Sequence, residues 1–270
     1  MQFWGTIMDS LGDRVKSFEK FYETYLDIKH PILARIDGRA FHMFTRKMKR
    51  PFDEKLTDSM VATTIDLVSE TGAIFGYTQS DEITLAWGAK EDQEMWFGGR
   101  MQKMVSSLSA YATSRFYKQI LDRMPEFAYY LPTFDARVWN VTNRVDILEA
   151  LLWRQADAIK NSISQVASAY FTHNQLLNKN GNDKINMLKE KGIDWYSFDK
   201  KFINGTFIRV KTVNRKFTYD EIQSLPPLHN ARKNPNLEFQ RTEIEKMYLN
   251  KITNYKNPFG IVFDGEEPEF

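Results

Sequence analysis

The sequence predicts a mixed α/β fold of the α+β kind, and three observations predict it. Apolar runs of strand length and stretches of helical periodicity follow one another in the order β-α-β-β-α-β. A chain of 270 residues with 42% hydrophobic content can bury a substantial core, in one large domain or two small ones. Charged residues make up 27% around a net charge of +2, which excludes global disorder and a purely electrostatic nucleic-acid binder.

The elements read as follows. Residues 9–28 place Leu11, Val15, Phe18, Phe21, Tyr22 and Tyr25 on one side of a helix, with Asp9 or Ser10 as cap and Pro31 as stop. Residues 32–37 (ILARID) read as a buried strand, and 38–52 as a loop carrying Arg39, Arg46, Lys47, Lys49 and Arg50. Asp53 caps a helix over 54–70, where Leu56, Met60, Thr64 and Leu67 recur at helical spacing. Residues 73–78 and 82–87 form a hairpin, the second strand alternating Ile83, Leu85 and Trp87 with Glu82, Thr84 and Ala86. A helix over 100–120, a strand over 132–139 and a long helix over 144–172 complete the series. This is the split order of a ferredoxin-like palm with additional helices. The last third is less regular: a short helix near 183–191, a strand near 206–212, an irregular Pro-containing stretch at 226–236 and a solvated acidic tail, FDGEEPEF. The chain divides into 1–140, holding the N-terminal helix and palm strands, 141–225, holding the long helix and remaining elements of the same domain, and a C-terminal extension, 226–270.

Cysteine is absent, which excludes disulfides, zinc–thiolate sites and thiol nucleophiles and is compatible with a cytoplasmic location. MQFWGTIMDSLGDR lacks the layout of a signal peptide, and no window reaches the length of a membrane span. His30, His173 and His229 have no metal-ligand spacing.

The chemistry concentrates in two segments, ARIDGRAFHMF and GYTQSDEIT. Asp37 closes an apolar strand, and Asp81 and Glu82 sit in the break of the hairpin. Carboxylates on neighbouring strand ends hold hard cations, and a Gly-containing loop with Arg39 meets phosphate charge. Taken alone, the pair also fits solvated strand-end acids or any magnesium–phosphate enzyme. Arg35 lies two residues before Asp37 and so shares its face. Apolar residues after a strand usually enter a core, which is the competing reading of Phe41 and Phe44. Ser80 suits a turn as well as a phosphate contact. The loop matches neither a Walker A nor a dinucleotide fingerprint.

RIDGRAFHMF, GYTQSDEITL, FDAR and WRQAD, in this order, resemble the tRNA-His guanylyltransferase superfamily over about residues 30–212. The resemblance implies a magnesium-dependent nucleotidyltransferase that extends RNA 5′ ends in the 3′-to-5′ direction. It implies Asp37 and Asp81, with a Gly38 carbonyl, as ligands of two Mg2+ ions, with Glu82 supporting the site or ligating metal. GTP or ATP would lie along Gly38, Arg39, Ala40, Phe41 and His42, with Arg35, Arg50 and Ser80 on the phosphates. Arg100 and Lys103 would face a second nucleotide, or form an ordinary solvated helix face. Arg137, Arg154 and Asn161 would hold a 5′-phosphate, or tie the long helix to the palm.

Eukaryotic members carry a histidine after WRQAD where this chain has Ile159. That departure, and GIDWYSFDKKFINGTFI, resemble the bacterial and archaeal guanylyltransferase-like branch, which repairs 5′-truncated tRNA on a template. A dedicated single-G addition is the alternative, and a palm-type nucleotide cyclase the second. A homotetramer acting on tRNA without a membrane is implied. Lys200, Lys201, Arg209, Lys211, Arg215, Lys216, Arg232 and Lys233, interleaved with Trp195, Tyr196 and Phe217, form a candidate tRNA face or a solvated surface.

Overall fold

In the computed structural model the described residues are 2–88 and 95–270, with side chains from residue 11 onward. The elements are α1 (Gln2–Phe21), β1 (Ile32–Arg39), α2 (Phe41–Thr45), α3 (Glu54–Thr71), β2 (Phe75–Gln79), β3 (Glu82–Trp87), α4 (Met101–Arg123), β4 (Thr133–Asn140) and α5 (Arg144–Tyr170). Then come α6 (His173–Leu176), α7 (Gly181–Glu190), α8 (Lys200–Ile203), β5 (Thr206–Lys216), α9 (Tyr219–Ser224), α10 (Asn230–Lys233) and β6 (Glu238–Met247).

The six strands form one antiparallel sheet ordered β4-β1-β3-β2-β5-β6. Its first four strands have the order that the split β-α-β-β-α-β series demands. Both faces of β1 are covered, so it reads as an apolar run rather than an alternation. Ile32, Ala34 and Ile36 pack in one cluster with Leu67 of α3 and Leu108 and Phe116 of α4. Leu33 packs on the opposite side in a cluster with Phe75, Ala86, Ile147 and Leu151, the last two from α5. A third cluster joins the later turns of α5 (Ile163, Val166) to Leu188 and Ile203. No helix among the described residues is long and apolar enough to cross a membrane.

Several expectations change. Helix α1 starts at Gln2, so Asp9 and Ser10 lie inside it rather than capping it. It ends at Phe21, because the chain then bonds to the start of α4, through Met101 N–H to the Thr24 carbonyl and Leu26 N–H to the Gly99 carbonyl. Leu11, Val15, Phe18 and Phe21 of α1 are exposed. The stretch expected as a loop at 38–52 contains α2, because Phe41 and Phe44 anchor a helical turn in an aromatic cluster with Phe116.

Strand β5 runs past the expected 206–212 to Lys216 and pairs with β6, which was not expected, while 226–236 between them holds only the one-turn α10. The acidic tail is largely exposed, as expected, but it is also tied back onto the sheet. Buried Arg209 donates to the Ile261 and Glu266 carbonyls and binds Glu245 and Glu267, and Asn257 donates to the Glu267 carbonyl. A guanidinium that is 1% exposed requires those partners, and the folded-back tail supplies two of them, Glu266 and Glu267.

Candidate functional site

Strand register brings the acidic residues together. Asp37 stands opposite Glu82 on β3 and Asp135 on β4, and Arg35 opposite Thr84 and Arg137. Directly opposed residues share a face, so Arg35, Asp37, Glu82 and Arg137 point to the same side. Asp81 lies in the two-residue turn between β2 and β3, with Gln79 paired to Glu82. The Gly38 N–H donates to the Asp81 carbonyl at 3.0 Å, which fixes the turn against the end of β1.

Two backbone positions here are unusual. Ala40 (φ 53°) and Ser80 (φ 51°) both occupy left-handed conformations without being glycine. Each costs about 1 kcal/mol or more and needs surrounding structure to hold it. Ser80 Oγ lies 3.1 Å from Asp81 Oδ1. Gly38 is required for a packing reason: a Cβ there would run into the Phe41 ring. Phe41 is buried against Phe44, Phe116 and Phe134, so only its main chain remains to meet a nucleotide. Arg39, His42 and Arg50 are exposed around this loop.

Burial pushes the Asp81 carboxyl above its ordinary range, the Ser80 hydroxyl and backbone hydrogen bonding oppose the shift, and the charge of Asp37 adds to it. A bound cation would relieve both burial and repulsion. The donor set is all oxygen, two carboxylates and the neighbouring carbonyls, which suits a hard ion such as Mg2+. Among the described residues no group of three or more acidic or histidine side chains forms a ready cage, so waters or phosphate oxygens would complete the coordination.

Glu82 is occupied otherwise. Both of its oxygens accept from Arg154, at 2.6 and 2.8 Å, and the pair is buried. Arg154 also binds Asp157 at 2.9 Å, and Asn161 donates to Asp157 at 3.1 Å. Of the two readings of Glu82, support of the site fits this geometry and metal ligation does not. Arg154 likewise ties α5 to the sheet, and its guanidinium is not presented to a phosphate. Asn161 remains exposed beside the turn.

Arg100 and Lys103 are set apart from the carboxylates. They line an open cavity of about 700 Å³ with Tyr25, Trp96 and Phe97. Trp96 stacks on Trp87, the far end of β3 from Glu82. Five residues of strand separate the two ends, roughly 17 Å.

Several basic residues of the last third have partners within the fold, while Lys200 and Lys233 are exposed. Lys211 binds Glu245, Arg215 binds Glu221, Arg232 donates to the Gln223 and Leu225 carbonyls, and Lys201 binds Glu54 and Asp58. The outer part of β5 extends past Phe75, away from the Ser80 turn.

Two features were not named as site residues from the sequence. A cavity of about 60 Å³ beside Ser80 is lined by Phe52, Asp53, Thr78, Asn161 and Thr206. Thr206 Oγ1 is buried there without a partner. A threonine opening a strand carries no chemical signature. Trp153, the first residue of WRQAD, is 60% exposed and lies against Arg154.

A family model described as tRNAHis guanylyltransferase matches residues 12–142. The chain is 34% identical to a bacterial tRNA(His) guanylyltransferase-like protein solved in complex with ATP, with a TM-score of 0.70, covering 74% of this chain and 88% of that one. A second bacterial guanylyltransferase-like structure, in complex with GTP, gives 27% identity and a TM-score of 0.69 over 91% and 94%. An uncharacterized protein of Acanthamoeba polyphaga mimivirus is 30% identical over 78% of this chain and 81% of its own length. A probable tRNA(His) guanylyltransferase of Drosophila melanogaster is 25% identical over 87% and 85%.

Proposed function

The chain belongs to the tRNAHis guanylyltransferase family of nucleotidyltransferases, and we propose that within it the protein extends 5′-truncated tRNA in the 3′-to-5′ direction on a template. The observation that carries the site is the Asp37–Asp81 pair, strapped together by the Gly38 N–H and without a cationic partner among the described residues. Asp37, Asp81 and the Gly38 carbonyl would hold Mg2+. When bound, the ions lower the pKa of an attacking hydroxyl and neutralise triphosphate charge. The main chain from Gly38 to His42 lies along an ATP or GTP triphosphate, with Arg35, Arg39, Arg50 and Ser80 as donors. Arg137 faces the RNA 5′ end.

In the reaction the 3′-hydroxyl of the incoming nucleotide gives up its proton to solvent as its oxygen bonds to the phosphorus attached to the RNA 5′ oxygen. The bond to the leaving group breaks, releasing pyrophosphate from a triphosphate end or AMP from an adenylylated one. Template dependence is favoured by Ile159. It packs against the third cluster on α5, at the position where eukaryotic members carry a histidine. Self-association as a homotetramer is supported by the exposed Leu11, Val15 and Phe18 of α1, and sedimentation of the full chain tests it.

The deciding assay supplies a tRNA transcript lacking its 5′ nucleotide with Mg2+ and each NTP in turn. Addition of the template-complementary base alone is the expected result. Addition of G whatever the opposing base replaces the proposal with single-G transfer. Conversion of NTP to a cyclic product without extension removes both.

A further inference from the structure

The exposed indole of Trp153 has no part in the site as described. The residue is 60% exposed and its ring rests against a buried cation. The Arg154 guanidinium lies over its ring, 4.3 Å from the centroid. That guanidinium is itself buried and gripped by both oxygens of Glu82 and by Asp157. One face of the indole is therefore covered by a cation that has little freedom to move, while the residue as a whole keeps its 60% exposure, which leaves ring surface open. Glu82 stands directly opposite Asp37 in the sheet, so Arg154 and Glu82 link the ring to the paired carboxylates. Trp153, Asp157 and Asn161 follow at i, i+4 and i+8 along one flank of α5, and Asn161 also lines the cavity at the Ser80 turn.

We propose that the open face of Trp153 is a stacking platform for the terminal base of the RNA at its 5′ end. The inference rests on the function proposed above. A flat, open, preorganised ring suits the blunt end of a stacked RNA helix. A free nucleotide is instead taken up in an enclosed pocket. The cation behind the ring holds its orientation, so little side-chain entropy is lost on stacking.

Two variants and two readouts test it. Trp153→Leu keeps apolar bulk against Arg154 and removes stacking, and Trp153→Phe keeps both. With a 5′-truncated tRNA transcript, Trp153→Leu should raise the KM for RNA roughly tenfold to a hundredfold while KM for NTP stays unchanged. Trp153→Phe should recover most of the loss. A transcript with 2-aminopurine as its terminal base should lose fluorescence on binding wild-type protein and not on binding Trp153→Leu. An unchanged KM for RNA, a rise confined to the KM for NTP, or a fall in kcat alone with quenching intact would each overturn the platform. The quenching experiment needs no turnover. If wild-type protein extends no RNA, the proposed function fails while stacking is still decided.

Discussion

Asp37 and Asp81 at one end of the sheet and Arg209 and Arg215 toward the other are all charges on strands or turns, yet only the second pair meets opposite charge. Arg209 is closed by Glu245 and Glu267, and Arg215 by Glu221, which also binds Arg241. In the segment that follows Asp37, by contrast, Arg39, Arg46, Lys47, Lys49 and Arg50 are exposed and form no ion pair among the described residues, and the charge of Asp37 bears on Asp81. The β5–β6 ribbon spends its charge on its own fold, and the loop end keeps both signs available for a ligand. Runs of basic residues in a sequence therefore carry opposite meanings, which only their neighbours reveal.

Removing one of the open charges should have the largest effect. Asp37→Asn should reduce nucleotide addition by roughly three orders of magnitude or more, as loss of a group that acts on the reacting atoms does. Its thermal midpoint should hold. Single-turnover extension and a melting curve check both, and a variant with near wild-type extension removes the metal assignment.

The closed end should answer in stability instead. Arg209→Met strands Glu245 and the tail carbonyls and should cost about 3 to 5 kcal/mol in urea unfolding. Extension per folded molecule should remain near normal. If activity fell and stability did not, the contrast between the two ends would be wrong.

Neutralising Arg46, Lys47 and Lys49 together should weaken RNA binding without shifting the melting temperature. For every phosphate these cations neutralise, the slope of log affinity against log salt should flatten by about one. Equal salt slopes would show these cations to be merely solvated.

Asp81 gives a smaller, opposite-signed effect. Burial raises its pKa in the folded state, so its stabilising contribution is full below the ordinary value of 3.8 and is lost as pH rises through the raised value. At neutral pH the ionised group therefore opposes folding. Asp81→Asn should raise the melting temperature of metal-free protein by a few degrees at pH 7 while extension is lost. A lower melting temperature would contradict the strained pair.

The smallest effect belongs to the ribbon in acid. The Arg215 hydrogen bond is the main reason Glu221 is lowered from 4.5 to about 2. The stability it contributes is present above 4.5 and is lost as pH falls toward 2. Hydrogen exchange at residues 210–216 should accelerate across that window in wild-type protein and lose the transition in Glu221→Gln.

Much of the palm was legible because its strands are buried on both faces and its turns carry marked residues. Asp53 accepts from the Leu56 N–H as its capping position implied. Strand β6 was not legible: EFQRTEIEKM is half exposed and rich in charge, and only pairing with β5 makes it a strand. In the site, Asp37 and Asp81 could be named from spacing and family motif. That Arg154 would be taken by Glu82 could not, since 72 residues separate them and nothing local records the pairing. Nor could the distance of Arg100 from the carboxylates, which follows from where β3 ends.

Arg209 has a consequence for the order in which the molecule is made. Its carbonyl partner at Glu266 and its acidic partner at Glu267 lie 57 and 58 residues further along the chain. At about 5 to 20 residues per second, a ribosome delivers them roughly 3 to 12 s after Arg209 itself. During that interval the ribbon can already pair, since β6 ends at Met247, but its guanidinium lacks the tail groups that complete its burial. The strands flanking Asp37 and Asp81 emerge first and can pair meanwhile, so the nascent chain holds the elements of its reactive end before Arg209 can be enclosed.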